Sequence, residues 1–225
     1  MTDQVDARAL TVAVLGGTGD LGQGLVYRLA SAGVHMIVGS RDAQRAVDGA
    51  AALSALVPDG TIEGGANEEA SGRADLVIVA VPWAGHDATL TYLADVLVGK
   101  IVVDCVNPLG FDAHGAYRLD VPEGSAAQQA AALLPESRVV AAFHNVSASM
   151  LMDSHVDDLA QDVLVLGDDR GATDVVRALA ELMPGVRGVF GGRLRNAGQI
   201  EALTANLIAI NRRYKARSGI RITGI

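Results

Sequence analysis

Short apolar runs rich in β-branched residues alternate with Ala/Leu-rich stretches along most of this 225-residue chain. Continuous apolar runs of strand length mark strands buried on both faces, and their alternation with helices implies a parallel sheet covered by helices. The first run, TVAVLG (11–16), reads as a strand, and 20–32 as a helix that Gly33 ends. VHMIVGS (34–40) is a second strand, followed by a helix over 43–56 that Pro58 and Gly60 terminate. GTIEGG (60–65) reads as a further short strand. DLVIVAVP (75–82) and KIVVDCV (100–106) are strands buried on both faces, with a helix over 86–97 between them. RVVAAFH (138–144) and DVLVLG (162–167) extend the sheet, 174–183 is a helix, and VRGVF (186–190) is a last short strand. A long helix over 196–216 repeats Ile200, Leu203, Leu207 and Ile210 at helical spacing. The segment 107–125, rich in Gly, Pro and Asp, reads as an irregular loop. The expected class is α/β: a Rossmann-like, doubly wound, mainly parallel sheet over 1–191, with a small C-terminal helical segment over 192–225.

Composition narrows the setting. Half the residues are hydrophobic, enough for a sizeable core. The lone Cys105 excludes an internal disulfide and fits a reducing compartment. The opening MTDQVDARAL is polar and acidic, unlike a signal peptide, and apolar runs of about seven residues fall far short of a membrane span. A soluble cytoplasmic protein is expected, without a membrane partner. A net charge of −8 argues against nucleic-acid binding. The charge is unevenly spread, because residues 186–225 carry eight basic side chains and one acid, Glu201. That tail is either a solvated helix face or a basic wall toward an anionic ligand.

Gly17, Gly19 and Gly22 form G-x-G-x-x-G directly after the first strand and at the start of a helix. In that setting the glycines allow a tight turn, close approach of a pyrophosphate and close helix–strand packing. The helix N-terminus offers unpaired N–H groups to phosphate. At the end of the second strand, an acid would grip a ribose 2′-hydroxyl and repel a 2′-phosphate. This chain has Ser40 and Arg41 there, with Arg45 four residues on. A hydroxyl and two guanidinium groups suit a phosphate, so the cofactor is read as NADP. Asp42 is the discordant neighbour, unless it caps the next helix.

Several chemistries are excluded. None of the four tyrosines has a lysine four positions later, so the proton-relay pair of short-chain dehydrogenases is missing. The five histidines are isolated and only one cysteine is present, so no metal-ligand spacing arises. No G-x-S-x-G nucleophile turn occurs. A well-formed dinucleotide site without acid–base machinery suggests hydride transfer between two bound redox cofactors.

The chain resembles the F420-dependent NADP oxidoreductases, which exchange hydride between NADP(H) and the deazaflavin coenzyme F420. LGGTGDLGQGLVYRLASAG, VGSRDAQRA, VPW, GSAAQQAAALLP, RVVAAFHNVSA, VLGDD and EALTANLIAIN carry the resemblance nearly end to end. It implies that Thr18, Gly19, Asp20 and Leu21 contact the pyrophosphate, and Ser40, Arg41 and Arg45 the 2′-phosphate. Val81, Pro82 and Trp83 would lie by the nicotinamide ribose, with Leu109 and Ala148 also lining the cofactor. The deazaflavin would stack near His144 and Val146, with Thr204 and the segment around Ile220 closing the cleft. No residue is implied as an obligatory nucleophile or acid–base; His144 is the candidate for the accompanying proton. The basic tail would then face the phosphodiester and glutamates of F420.

Some points stay open. Gly198 and Ala202 depart from the family's arginine and serine, and Arg195 one turn earlier is the candidate replacement cation. His144 is either a hydrogen-bonded core histidine or a ligand-positioning one. Trp83 either fills core or lines the cleft, and Thr204 either serves the site or bonds back to its own helix. Two other functions remain: an NADPH-dependent reductase of another flavin or small carbonyl, and a non-catalytic NADP(H) sensor. The apolar faces of the C-terminal helix suggest a homodimer.

Overall fold

A computed structural model describes residues 6–225. Residues 1–5, part of the stretch compared above with a signal peptide, lie outside the described residues. The elements are β1 (Thr11–Leu15), α1 (Asp20–Ser31), β2 (His35–Ser40), α2 (Ala43–Leu56), β3 (Ile62–Ala66), α3 (Asn67–Arg73) and β4 (Leu76–Val79). They continue with α4 (His86–Leu97), β5 (Ile101–Asp104), β6 (Leu109–Asp112), β7 (Gly115–Arg118), α5 (Ala126–Leu133) and β8 (Arg138–Ala141). Then follow α6 (Ala148–Leu151), β9 (Gln161–Gly167), α7 (Arg170–Glu181), β10 (Val186–Gly192) and α8 (Ala197–Tyr214).

The main sheet has the order β10-β9-β8-β5-β4-β1-β2-β3. The pairs from β3 across to β8 are parallel, whereas β9 meets β8 antiparallel and β10 runs with β9. The chain therefore reverses its strand order between β1 and β4, the crevice where open α/β sheets bind ligands. Alternation along β1 sends Val12 and Val14 into one core and Ala13 and Leu15 into the other. The first core also contains Leu25 and Leu29 of α1, and the second Leu90 and Leu93 of α4.

Three parts of the chain differ from the reading of its pattern. The segment 107–125 is not irregular throughout, because β6 and β7 pair as an antiparallel hairpin. Its central Asp112 side chain accepts from the N–H of His114 and Gly115, which makes the turn that Gly and Asp in this stretch only hinted at. The helices α3, α5 and the four-residue α6 were not anticipated. Seven residues are too few for α3 to show a period, and α5 is so alanine-rich that its faces differ little. The helix expected over 174–183 starts earlier, at Arg170, because Asp169 accepts from the Ala172 N–H at 2.7 Å and caps it.

Two polar anchors hold the site's outer parts to this frame. Arg28 of α1 is buried and donates through Nε to Leu151 O at 2.7 Å. Through Nη2 it reaches Met150 O and Asp153 O at 3.0 and 2.8 Å, so one guanidinium collects the last carbonyls of α6. At the other end, the buried Asp162 opens β9 and takes two hydrogen bonds from Arg187, at 2.7 and 2.6 Å. Those bonds hold its carboxyl below the usual carboxylate range against the opposing effect of burial. The Asp162 N–H donates to Ile220 O and its carboxylate accepts from the Ile222 N–H, which stitches the C-terminal segment to the sheet.

Replacing Arg28 by Ala should lower stability by about 2–3 kcal/mol, because three carbonyls lose a charged donor. Urea unfolding checks this, and an unchanged midpoint would mean that apolar packing alone holds α6 on α1.

Candidate functional site

The turn between β1 and α1 is built by backbone. Gly16 has φ +74°, in the left-handed region, and its O accepts from the Gly19 N–H at 2.9 Å. A Cβ on Gly22 would stand 2.6 Å from Gly16 O and 2.7 Å from Gly17 Cα, so α1 can pack this closely only with glycine there. Gly17 is buried and donates to Val14 O and Gly39 O, supporting the turn from beneath. Gly19 caps α1 without a side chain, which leaves the first-turn N–H groups open.

Beside this turn lies a cavity of about 500 Å³ lined by Gly16, Thr18, Gly19, Ser40, Arg41, Arg45, Asn67, Val81, Pro82 and Thr89, among others. Most of the residues expected to hold a 2′-phosphorylated dinucleotide therefore share one concavity at the strand-order switch. Ser40 Oγ accepts from the Asp42 N–H at 3.2 Å and keeps its own proton to donate. Asp42 caps α2 by accepting from the Arg45 N–H at 3.2 Å, which resolves its discordance.

Other expected residues lie apart from that cavity. Asp20 lines a second one of about 240 Å³ with Gln23, Ala148, Ser149 and Met152, which brings the start of α1 and α6 together. Leu21 is half-buried against the core. Trp83 begins a single 3₁₀ turn, packs on the second core and tilts over the His86 ring at 5.3 Å, while Ala84 and Gly85 face the cavity. Leu109 is half-buried at the start of the hairpin. Ile220 is half-buried on the C-terminal segment, held by its carbonyl at Asp162.

The residues assigned to the second ring gather at the end of β8. His144 is buried and neither ring nitrogen has a hydrogen-bond partner. Burial pulls its pKa down to about 4, with only the charge of Asp104 opposing, so the ring is neutral near pH 7. It is not the hydrogen-bonded core histidine of the alternative reading. Val146 is buried two residues later. Thr204 does not bond back to its own helix: its hydroxyl lies 3.1 Å from His144 O and 3.2 Å from Asn107 Oδ1, and Asn145 Nδ2 donates to it at 3.1 Å. The segment 144–146 is thereby tied to α8.

A buried ionisable cluster underlies this region and was not anticipated. His86 Nε2 sits 2.6 Å from Asp104 Oδ2 and its Nδ1 2.9 Å from Gln129 Oε1. Burial alone would lower the His86 pKa, but the hydrogen bond and charge of Asp104 outweigh it and leave it raised. Glu201 of α8 accepts from the N–H groups of Ala126 and Ala127 at 2.9 and 3.2 Å, capping α5 from another element. Burial raises its pKa to about 7, against those two N–H groups and with help from the Asp104 charge. The tell-tale signal was an acid alone in a basic tail at an otherwise apolar helix position. Cys105 is buried, which pushes its thiol well up and leaves it inert.

The departure at 198 has a packing reason, and nothing in the structure explains the one at 202. A Cβ on Gly198 would stand 2.6 Å from Gly124 O, so this backbone excludes any larger residue. Gly198, Glu201 and Ala202 border a small cleft with Arg118 of β7, whereas Arg195 is exposed on a 3₁₀ turn before α8.

Comparison with known proteins agrees with this geometry. The family model described as NADP oxidoreductase coenzyme F420-dependent matches residues 11–108. An F420-dependent NADP reductase of Methanothermobacter marburgensis is 41% identical over 223 residues, covering 96% of this chain and 99% of that protein. One from Methanocaldococcus jannaschii is 38% identical, again covering 96% of this chain and 99% of its own. The crystal structure of a putative F420-dependent NADP reductase from Arthrobacter sp. FB24 superposes with a TM-score of 0.80 at 28% identity, covering 96% of this chain and all of that one. With identity at this level along nearly the whole of both chains, the protein belongs to the F420-dependent NADP oxidoreductase family.

Proposed function

We propose that this protein transfers a hydride between NADP(H) and coenzyme F420. The observation that carries the reading is the cavity at the strand-order switch, where a glycine-cradled helix N-terminus and the Ser40, Arg41, Arg45 group converge. The F420 half rests on the near full-length similarity to the archaeal reductases. When bound, the two coenzymes would supply the hydride chemistry, and the protein's part would be to hold their rings together.

The chain's own task is to bind, orient and exclude water. Thr18, Gly19, Asp20 and Leu21 place the pyrophosphate on the open N–H groups of α1. Ser40, Arg41 and Arg45 hold the 2′-phosphate by charge-assisted hydrogen bonds. Val81 and Pro82 form the wall toward the nicotinamide ribose, with Trp83 supporting that turn from behind and Leu109 and Ala148 as outer contacts. His144, Val146 and Thr204 border the deazaflavin, and the neutral His144 ring can carry a proton on either nitrogen. Residues 192–225 close this cleft over the domain formed by 1–191, with Ile220 in the segment stitched to β9. Arg212 and Arg213 of α8 line a cavity of about 530 Å³ with His114 of the hairpin, suited to the anionic tail of F420.

The working form is a cytoplasmic homodimer that needs no membrane or nucleic acid. No helix among the described residues is long and apolar enough to cross a membrane. Phe111 and Tyr117 of the hairpin and Ile210 and Tyr214 of α8 are exposed apolar side chains that a second copy could cover.

Three outcomes follow. With NADPH deuterated at the transferred position, the label should appear at C5 of the reduced deazaflavin; unlabelled product would exclude direct transfer. Arg41→Ala should raise the KM for NADPH roughly tenfold or more while the KM for F420 moves little. Equal changes in both would contradict the 2′-phosphate assignment.

The third concerns pH. His144 titrates near 4 when folded and 6.5 when unfolded, so the unfolded chain alone binds that proton in between and stability falls as pH drops through this window. Glu201 does the reverse: folded near 7 and unfolded near 4.5, it makes stability fall as pH rises between those values. The two slopes oppose each other where the windows overlap. Relative to the parent protein, His144→Phe should therefore gain about 2 kcal/mol more at pH 5 than at pH 7. Equal shifts at both pH values, measured by urea unfolding, would mean that His144 is not held neutral.

A further inference from the structure

The end of β3 brings one more side chain to the phosphate end of the cavity. Asn67 follows β3 directly, and the register pairs Ser40 of β2 with Ala66, the residue before it. Asn67 is only 7% exposed and lines the same cavity as Ser40, Arg41 and Arg45. Its Oδ1 is buried with no hydrogen-bond partner, 3.0 Å from the point a Cβ on Gly39 would occupy. The side chain thus lies across the glycine that precedes Ser40, and any larger residue at 39 would displace it. With Oδ1 turned inward against Gly39, Nδ2 is the amide atom left to donate to a ligand in the cavity.

Ligand chemistry explains the choice of an amide. A 2′-phosphorylated ribose presents phosphate oxygens, which accept, next to a 3′-hydroxyl, which donates. Arginine, serine and an amide N–H all donate to the first group without adding negative charge. Aspartate would serve the hydroxyl but repel the phosphate. The neighbouring acids do not take this role, since Asp42 is occupied at the α2 N-terminus. Among the residues lining this cavity, Asn67 carries the only side-chain amide.

We propose that Asn67 is a specificity-determining residue for the 2′-phosphorylated ribose, its Nδ2 donating to the phosphate. The inference rests on reading this cavity as the NADP(H) site and adds a residue that the phosphate group of Ser40, Arg41 and Arg45 does not contain.

Calorimetric titration with 2′,5′-ADP and 5′-ADP isolates the adenosine half and needs no F420. In the parent protein, 2′,5′-ADP should bind far more tightly than 5′-ADP. Asn67→Asp keeps the shape of the side chain and should weaken 2′,5′-ADP about tenfold to a hundredfold while changing 5′-ADP by less than about threefold. Asn67→Ala should weaken 2′,5′-ADP about tenfold, again with little effect on 5′-ADP, and stands in if the aspartate variant does not fold. Equal losses for both ligands in either folded variant would overturn the proposal and leave Asn67 a structural residue. A parent protein that binds the two ligands equally would instead overturn the NADP(H) reading beneath it.

Discussion

The close approach of α1 to the end of β1 is the constraint on which the rest depends. With no Cβ at Gly22, the helix sits within contact of the Gly16 carbonyl and its open N-terminus is aimed along the carboxyl edge of the sheet. Because β1 is also where the strand order reverses, that N-terminus meets a crevice rather than a neighbouring crossover. The turn after β2 then lies on one side and the turn after β4 on the other, and the cavity of about 500 Å³ lies between them. A side chain at 22 would lift α1, misaim its N–H groups and loosen α6, which Arg28 ties to the same helix.

The second half of the site depends on a different physics, polar groups satisfied across elements. Glu201 caps a helix it does not belong to, and Thr204, one turn later, bonds to the backbone after β8. Both lie on α8, so that helix is fixed in rotation by two polar contacts and not by apolar packing alone. Glu201 lies in a largely buried place near Asp104 and His86, where its ionised form is costly, and two N–H groups only partly compensate. Such a contact specifies one position for α8 because a rotated helix would leave the carboxyl and two N–H groups unpaired.

The sequence made one half of this arrangement legible and concealed the other for identifiable reasons. Strand-length apolar runs revealed β1, β2, β4, β5, β8 and β9, and the glycine spacing with Ser40, Arg41 and Arg45 revealed the dinucleotide cavity. These features are local, each readable within a few dozen residues. Asn67 escaped because α3 is too short to show a period and its neighbour in space, Ser40, is 27 positions away. His86 and Asp104 were visible only as an isolated histidine and a strand-end acid, since 18 residues separate them. Glu201 meets α5 across 75 residues, and its role exists only once the fold has closed. Short-range pattern finds cradles and phosphate groups, while pairings between distant elements need the tertiary structure.

This division fits a reaction in which the protein is scaffold more than reagent. The dinucleotide end is exposed to exchange with solvent, and its recognition groups, Arg41 and Arg45, are exposed cations that act by charge. The end of β8 is dry: His144 is buried and neutral, with two unpaired nitrogens. A neutral imidazole there adds no fixed charge, yet retains one N–H to give and one lone pair to receive. An ionised residue in the same place would need a buried partner, a cost that the neutral ring avoids. The net direction of exchange follows the supply of the two coenzymes, as for any catalyst that equilibrates two hydride carriers.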